Sequence, residues 1–272
     1  MKAIFNNEIT EWDDIHLSPD NRAWKYADGL FETIALVKGK PRLLANHLQR
    51  LSAGADMLRI DTAGLLEIEQ MSNHISTLAE LTNMGADAKV RIYMWRNARG
   101  TYCPQGNAAD VLVTIDQHSF AIKVAERTGF SNQVVNYPSM SSRFKTLSAM
   151  HYVLAGIEKI EKQLDELILL DSRGYLSEAL ASNIFWRVGQ TYFTPPISTG
   201  CIEGVMRNHL IECFRLRGIK VCEAQLPPAG IVKADCVFTS NALGIDHIGR
   251  INDRIFDLEQ LAPAIVDEID AG

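Results

Sequence analysis

The chain lacks a cysteine framework. Cys103, Cys201, Cys213, Cys222 and Cys236 are odd in number and scattered, and no C-x-x-C pair occurs. Neither a disulfide scaffold nor a zinc knuckle is expected, and a reducing cytoplasm is the simplest setting. No apolar run approaches the roughly 18 residues of a membrane span, and no apolar stretch follows Lys2 as a signal peptide would require. Basic blocks are missing too. The net charge is -6, from 27 basic and 33 acidic residues, which argues against nucleic acid as a partner. Neither of the common nucleotide-cradling patterns, G-x-G-x-x-G and G-x-x-x-x-G-K-[ST], is found, and no repeat or low-complexity tract stands out.

What is present is the composition of an ordinary globular protein. With 272 residues and 47% hydrophobic content, the chain can bury a sizeable core, and at about 150 residues per domain its length suits two domains. Strands are expected over 1–6 and 30–38, with a hairpin turn at Gly39. Helices are expected over 43–58 and 63–82, from apolar residues at three- and four-residue spacing, then strands at 89–96 and 110–115. Asp116-Gln117-His118-Ser119 is a polar break. The expected organisation is an N-terminal α/β domain over 1–116, a linker over 117–120 and a C-terminal α/β domain over 121–272. In the second half, strands are expected at 121–125, 166–171, 184–188, 190–193, 219–224 and 236–239, with helices over 148–162, 204–217 and 227–232. Gly218 closes the second of these helices. The fold class is α/β with mixed sheets rather than a regular βαβ repeat.

Four local features could carry chemistry. Lys145 lies between a Ser/Pro-rich loop and an apolar helix. Such a lysine is most often merely solvated, but a desolvated amine can form a Schiff base. Glu178, in Ser177-Glu178-Ala179-Leu180, precedes a strongly apolar strand; it is either part of a capped turn or a buried carboxylate facing a cationic ring nitrogen. Ser198-Thr199-Gly200 leads toward Gly204-Val205-Met206-Arg207, and a helix start of this kind can hold a phosphate. His47 and Arg50 are three apart on the first long helix. His209 and Cys213 are four apart on another helix, but a third metal ligand is not evident, and no metal is assigned.

Gly29-Leu30-Phe31-Glu32-Thr33, His47-Leu48-Gln49-Arg50-Leu51, Lys145, Ser177-Glu178 with Ser182-Asn183-Ile184-Phe185, and Gly204-Val205-Met206-Arg207 follow one another in an order and spacing that resembles the class IV aminotransferases. The resemblance runs from about residue 2 to residue 250. It implies the two-domain, D-amino-acid aminotransferase-like fold of the type IV pyridoxal-phosphate enzymes, with pyridoxal 5′-phosphate as cofactor. By the same resemblance Lys145 is the Schiff-base lysine that also shuttles the proton, Glu178 pairs with the pyridine nitrogen, and Arg50 grips the phosphate. Val205 and Met206 offer backbone N–H groups to that phosphate, and Ser240 and Asn241 complete its cup. A homodimer, with an active site between the domains completed by the partner, is also implied.

Within the family, discrimination lies in the groups that bind the substrate carboxylate. Ser240-Asn241-Ala242-Leu243-Gly244 replaces the Thr-Gly-Thr-Ala-type loop of branched-chain enzymes. The Arg-x-His trap of the familiar D-amino-acid enzymes is absent from Arg96-Asn97-Ala98-Arg99-Gly100-Thr101-Tyr102. Arg-Gly-x-Tyr and Asn-Ala-Leu look like the 4-amino-4-deoxychorismate lyases, although Ala35 stands where many of those carry arginine. Arg91 is read as a carboxylate-binding arginine or as half of a salt bridge within the sheet. Arg99 is a weaker candidate, and Tyr26 and Phe31 are expected to wall the pocket. The expected activity is amino transfer from an amino acid, preferably a D-amino acid, to a 2-oxo acid. The alternatives are the lyase, which makes 4-aminobenzoate and pyruvate by β-elimination, then a branched-chain L-amino-acid aminotransferase or an inactive relative.

Overall fold

A computed structural model of the chain describes residues 1–258. It divides into two compact units: Met1–Phe120 with Phe144–Ser148, and Ala121–Arg143 with the chain from Ala149 onward. The last part of the expected C-terminal domain, 259–272, lies outside the described residues.

The first unit holds β1 (Lys2–Phe5), β2 (Glu8–Glu11), α1 (Arg22–Tyr26), β3 (Gly29–Val37), β4 (Lys40–Pro41), α2 (Leu44–Leu58), α3 (Ile68–Thr82), β5 (Ala88–Arg96) and β6 (Ala109–Gln117). Its six strands form one sheet in the order β2-β1-β6-β5-β3-β4, and every pairing is antiparallel. One face of this sheet is apolar at every second position, as the strand period requires. Ile34, Leu36, Val90, Ile92, Met94, Val111, Val113 and Ile115 join Leu48, Leu51 and Ala55 of α2 and Met71, Ile75 and Leu78 of α3 in the core. The β3–β4 turn places Lys38 and Gly39 at φ 50° and 78°, the left-handed pair that a two-residue hairpin demands. The second helix starts at Ile68, not 63, because Ala63 and Gly64 both take positive φ.

The segment carrying Lys145 joins this unit by backbone pairing. Lys145 C=O accepts from Phe31 N–H (2.8 Å), and Leu147 N–H donates to Gly29 C=O (2.9 Å), with Leu30 and Thr146 bridged antiparallel. Residues 144–148 thus lie along the start of β3, where β4 does not reach. For this reason the lysine packs with the first unit rather than with the rest of the chain after 121.

The second unit holds β7 (Val124–Ala125), β8 (Thr128–Asn136), α4 (Met150–Glu161), β9 (Glu166–Asp171), β10 (Leu176–Ala179), β11 (Asn183–Val188), β12 (Thr191–Thr194), α5 (Val205–Leu216), β13 (Lys220–Glu223), β14 (Cys236–Asn241), β15 (Gly244–Ile248), β16 (Arg250–Ile251) and β17 (Arg254–Ile255). Two sheets result, β10-β9-β8-β16-β17 and β13-β12-β11-β14-β15-β7. Each mixes parallel and antiparallel pairs. The expected strand over 121–125 shrinks to two residues, and the 227–232 helix is a 3-10 turn at Pro228–Lys233. The longest unexpected element is β8. Its register with β9 breaks between Phe130 and Val135, and the bulge is held by Glu158 of α4, which is fully buried. Glu158 accepts from Ser131 Oγ (2.6 Å), Asn132 N–H (2.8 Å) and Lys162 Nζ (2.6 Å). Burial alone would push this carboxyl up, but those donors hold it below the usual range. The bulge sets the register that delivers Asn136 to the end of β8.

Candidate active site

In the first unit, the pairing with β3 fixes Lys145 beside Phe31. The Lys145 Nζ stands 4.6 Å from the Phe31 ring centroid, and Phe31 stacks on Tyr93 at 6.3 Å. Lys145 is half-buried. One residue along β3 from Phe31, the side chain of Glu32 points into the interior and is 1% exposed. It accepts from Arg50 Nε (2.7 Å) and Nη2 (2.6 Å) and from His47 Nδ1 (2.7 Å). The i, i+3 spacing on α2 places both partners over the same strand position. Burial opposes the Glu32 charge, but Arg50 and the hydrogen bonds from His47 and Arg50 outweigh it and hold the carboxyl below its ordinary value. For His47 burial wins over the pull of Glu32, and its pKa falls. The ring is therefore neutral, and because a carboxylate only accepts, Nδ1 carries the proton.

The other expected substrate residues of this unit are placed differently. Arg91 Nη1 donates to Asp116 Oδ2 at 2.6 Å, in a pair that is 34% and 45% exposed. The ion pair within the sheet is thus present, and the buried arginine of this strand is Arg96. Arg96 is bound to Asp28 (3.0 Å), to Asn107 Oδ1 (2.7 Å) and to backbone carbonyls of α2's C-terminal end. Asp28 also takes Arg22 (2.6 Å). Arg99 is exposed. Tyr26 lies against Tyr102 (5.7 Å) and under the Arg22 guanidinium (4.9 Å).

In the second unit, Glu178 is 2% exposed. A register shift between Leu176 and Glu178 in the pairing with β9 re-aims it, as bulges beside functional sites do. Its Oε1 accepts from the Tyr152 hydroxyl (2.7 Å) and Asn136 Nδ2 (2.8 Å), and its Oε2 from Ile202 N–H (3.0 Å). Ile202 is presented by a turn at Gly200, whose φ is 85° and where a Cβ would stand 2.7 Å from the Tyr137 carbonyl carbon, so glycine is required. The charge of Glu178 is felt nearby. Burial and then Glu178 push the Cys201 thiol up to about 12 and raise the Tyr152 hydroxyl well above its usual range. Both groups stay protonated.

The start of α5 lies alongside. Val205 and Met206 open the helix, Gly204 precedes it, and no side chain caps it, so its first N–H groups lack intrahelical acceptors. Asn183 Nδ2 donates to Ile202 C=O (2.8 Å), and a Cβ at Gly204 would collide with Asn183 Oδ1. Ser240 is the register partner of Asn183. Its Oγ is buried and finds no partner among the described residues. Asn241 Nδ2 donates to Ser182 Oγ (2.9 Å), while its Oδ1 accepts from Leu243 N–H (2.8 Å). An uncapped helix start with an orphaned buried hydroxyl beside it fits a phosphate. The residues present therefore suit a pyridoxal cofactor.

Three functional neighbours, Glu32, Asn136 and Tyr152, have no role assigned by sequence alone. Glu32 sits inside the Phe31-Glu32-Thr33 motif, and its spacing to His47 and Arg50 was the available signal. Asn136 ends a strand whose sequence, TGFSNQVVN, shows no period-2 alternation. Tyr152 is one more amphipathic residue of α4 by pattern. His209 and Cys213 approach within 3.5 Å, and among the described residues no group of three or more His, Cys, Asp or Glu could hold a metal ion. Nor is any described helix long and apolar enough to cross a membrane.

The sequence profile named Amino-transferase class IV matches residues 29–250. The chain is 27% identical over 240 residues to the aminodeoxychorismate lyase of Bacillus subtilis (strain 168), covering 88% of this chain and 82% of that one. It is 24% identical over 253 residues to the branched-chain-amino-acid aminotransferase of Salmonella typhimurium, covering 87% and 80%. In fold it matches the crystal structure of the branched-chain aminotransferase from Thermoproteus uzoniensis with norvaline. The TM-score is 0.88 at 20% identity, over 100% of this chain and 93% of that one.

Proposed function

Because the chain belongs to the class IV aminotransferase family, whose members use pyridoxal 5′-phosphate, we propose that it moves an amino group from an amino acid to a 2-oxo acid. The observation that carries this reading is Glu178, a buried carboxylate held by three donors, at the position the family pattern gives to the partner of a ring nitrogen. When bound, the cofactor supplies an electron-accepting pyridinium ring. Glu178, a carboxylate held by three donors in a buried setting, would pair with the ring nitrogen and favour its protonated form. Lys145 anchors the cofactor through Nζ, and the same amine takes and returns the proton of the donor's α-carbon. Pairing of 144–148 with β3 keeps that amine from wandering. In the second unit the N–H groups of Val205 and Met206, the hydroxyl of Ser240 and the loop shaped by Asn241 would hold the phosphate, and the family pattern gives Arg50, whose guanidinium is oriented by Glu32, the same task.

The Ser240–Gly244 turn, in place of a Thr-Gly-Thr-Ala-type loop, puts D-amino acids ahead of branched-chain L-amino acids as donors. Phe31, beside Lys145, would wall the donor's side. Arg91, already paired with Asp116, leaves the carboxylate without an assigned arginine from β5. The second reading is the lyase. It is favoured by the 27% identity to the Bacillus enzyme and by the Arg99-Gly100-Thr101-Tyr102 and Asn241-Ala242-Leu243 segments.

The test is the visible spectrum of the purified protein loaded with pyridoxal phosphate. D-glutamate should abolish the band of the lysine-bound cofactor, and 2-oxoglutarate should restore it, whereas L-glutamate and L-leucine should leave it in place. If only aminodeoxychorismate is consumed, with pyruvate released and the band returning unaided, the lyase reading replaces this one. Lys145→Ala should lose the band and the turnover together; substantial turnover in that variant would sink both readings.

The protein acts as a homodimer in this proposal. The face of α4 bearing Met150, Val153, Leu154 and Ile157 is exposed (68, 54, 49 and 47%). Four large apolar side chains on one helix face form a patch that a second copy would cover.

A further inference from the structure

We propose that Tyr152 and Asn136 are positioning residues for Glu178: they fix its Oε1 and set how tightly the carboxylate competes for the proton it shares with a cationic ring. This rests on the role proposed for Glu178 and adds two residues that lie outside every family motif in the sequence.

Hydrogen-bond direction fixes the arrangement. Ser177 donates its hydroxyl proton to Thr199 C=O (3.2 Å). Its oxygen must then accept from Asn136, whose Nδ2 lies 3.0 Å away. The same Nδ2 lies 2.8 Å from Glu178 Oε1, and a carboxylate oxygen also only accepts. Both neighbours thus demand the amide nitrogen on this side, and the orientation of Asn136 is fixed without ambiguity. The consequence is a cost: Asn136 is 3% exposed, and its Oδ1 has no partner among the described residues. Orphaned buried carbonyls are rare and persist where the site needs them. Here the orphan is the price of directing Nδ2 at Glu178.

Tyr152 supplies the second donor from α4. Its hydroxyl is 2.7 Å from the same Oε1 and stays protonated, since burial and the Glu178 charge both oppose its ionisation. Cys201 also feels the Glu178 charge and is protonated for the same two reasons. Arg207, which acts on Cys201, is itself bound to Glu223 and to Pro195 C=O. Asp171 at the end of β9 is bound to Arg173 (2.7 Å). His151 packs on Tyr152 with ring centroids 3.8 Å apart, and burial lowers its pKa, so the titration is repeated in a His151→Gln background to separate its charge from the effect of the two donors. Each donor stabilises the carboxylate charge and lowers its proton affinity. Removing one makes Glu178 the better base, draws the proton from the ring nitrogen, and weakens the ring as an electron acceptor.

The experiment is a pH titration of the visible band of the holoenzyme, with kcat, KM and cofactor Kd measured in parallel. The band reports the proton on Lys145 Nζ in its bond to the cofactor, and a ring that withdraws fewer electrons leaves that nitrogen more basic, so Tyr152→Phe and Asn136→Ala should each move the band's midpoint upward by about 0.5 to 1 pH unit. Each should lower kcat by roughly fivefold, on the scale of one charge-assisted hydrogen bond partly transmitted, while leaving cofactor Kd within about threefold. 3-Fluorotyrosine installed at position 152 is a stronger donor and disturbs packing least, and it should move the midpoint down. Opposite signs for removal and strengthening are what a merely structural tyrosine cannot produce. Should Tyr152→Phe fail to fold, the fluorotyrosine protein still decides the matter. Variants that all keep the visible band with its midpoint at the wild-type value overturn this proposal alone. A wild type that takes up no cofactor and shows no visible band overturns it together with the role proposed for Glu178.

Discussion

Ser240 shows at the scale of one residue how a site can be recognised from what it leaves unsatisfied. Its hydroxyl is 1% exposed and has no partner among the described residues, and a buried orphan of this kind costs about 1–3 kcal/mol. Ser240→Ala removes that cost, so the cofactor-free protein should be as stable as the wild type or slightly more so. The same change should weaken pyridoxal phosphate roughly tenfold to a hundredfold, the worth of one hydrogen bond to a charged group. Thermal melting without cofactor and a fluorescence titration with it separate the two effects. A destabilised apoprotein with unchanged affinity would make Ser240 structural. Arg91 gives the opposite lesson. In sequence it looked like an arginine in need of an anion, and the anion proved to be Asp116, one strand away and two residues out of register. Sequence alone cannot supply that partner, because the β5–β6 pairing that brings the two together is a property of the folded sheet.

Elements were legible where their apolar residues form an unbroken signal. The expected helix over 43–58 and the strand over 166–171 lie within a residue or so of α2 and β9: the helix has a clear apolar period, and the strand is an apolar run whose two faces enter two cores. β8 was invisible because its bulge breaks the alternation and because Glu158, which holds that bulge, lies far along the chain on α4. For α4 the period was read correctly but its meaning was not. Met150, Val153, Leu154, Ile157 and Ile160 look like a core face, yet only Ala155 and Glu158 of this helix are buried. An apolar stripe tells that something covers it, without saying whether that is the same chain. If a second copy covers it, Leu154→Glu with Ile157→Glu should convert a dimer to a monomer in sedimentation or light scattering. The fold itself should persist, because neither side chain packs inside. Unchanged mass in the double variant would remove α4 from the interface.

At the scale of the whole molecule, stability on the acid side should be governed in part by the histidine that shares Glu32 with Arg50. His47 is buried and neutral, with its pKa pulled below the ordinary 6.5 by burial. The unfolded chain therefore takes up a proton there before the folded one does. Stability contributed by this site is complete above about pH 6.5 and is lost as pH falls toward the folded value, at up to about 1.4 kcal/mol per pH unit. Glu32 follows the same sign further down. Its carboxyl, held below the usual 4.5, contributes above that value and loses its contribution as it protonates and releases Arg50. His151 and His247, also lowered by burial, add to the slope, so the wild-type curve alone does not isolate His47. His47→Gln keeps a neutral donor for Glu32 and cannot titrate. Urea midpoints between about pH 8 and 4 should therefore fall less steeply in His47→Gln than in the wild type below about pH 6.5, and the two curves should become parallel again once only carboxyls titrate. Superimposable slopes would mean that His47 titrates alike in the folded and unfolded chains, and a wild-type curve that falls less steeply than that of His47→Gln would mean that Glu32 holds His47 as a cation beside Arg50.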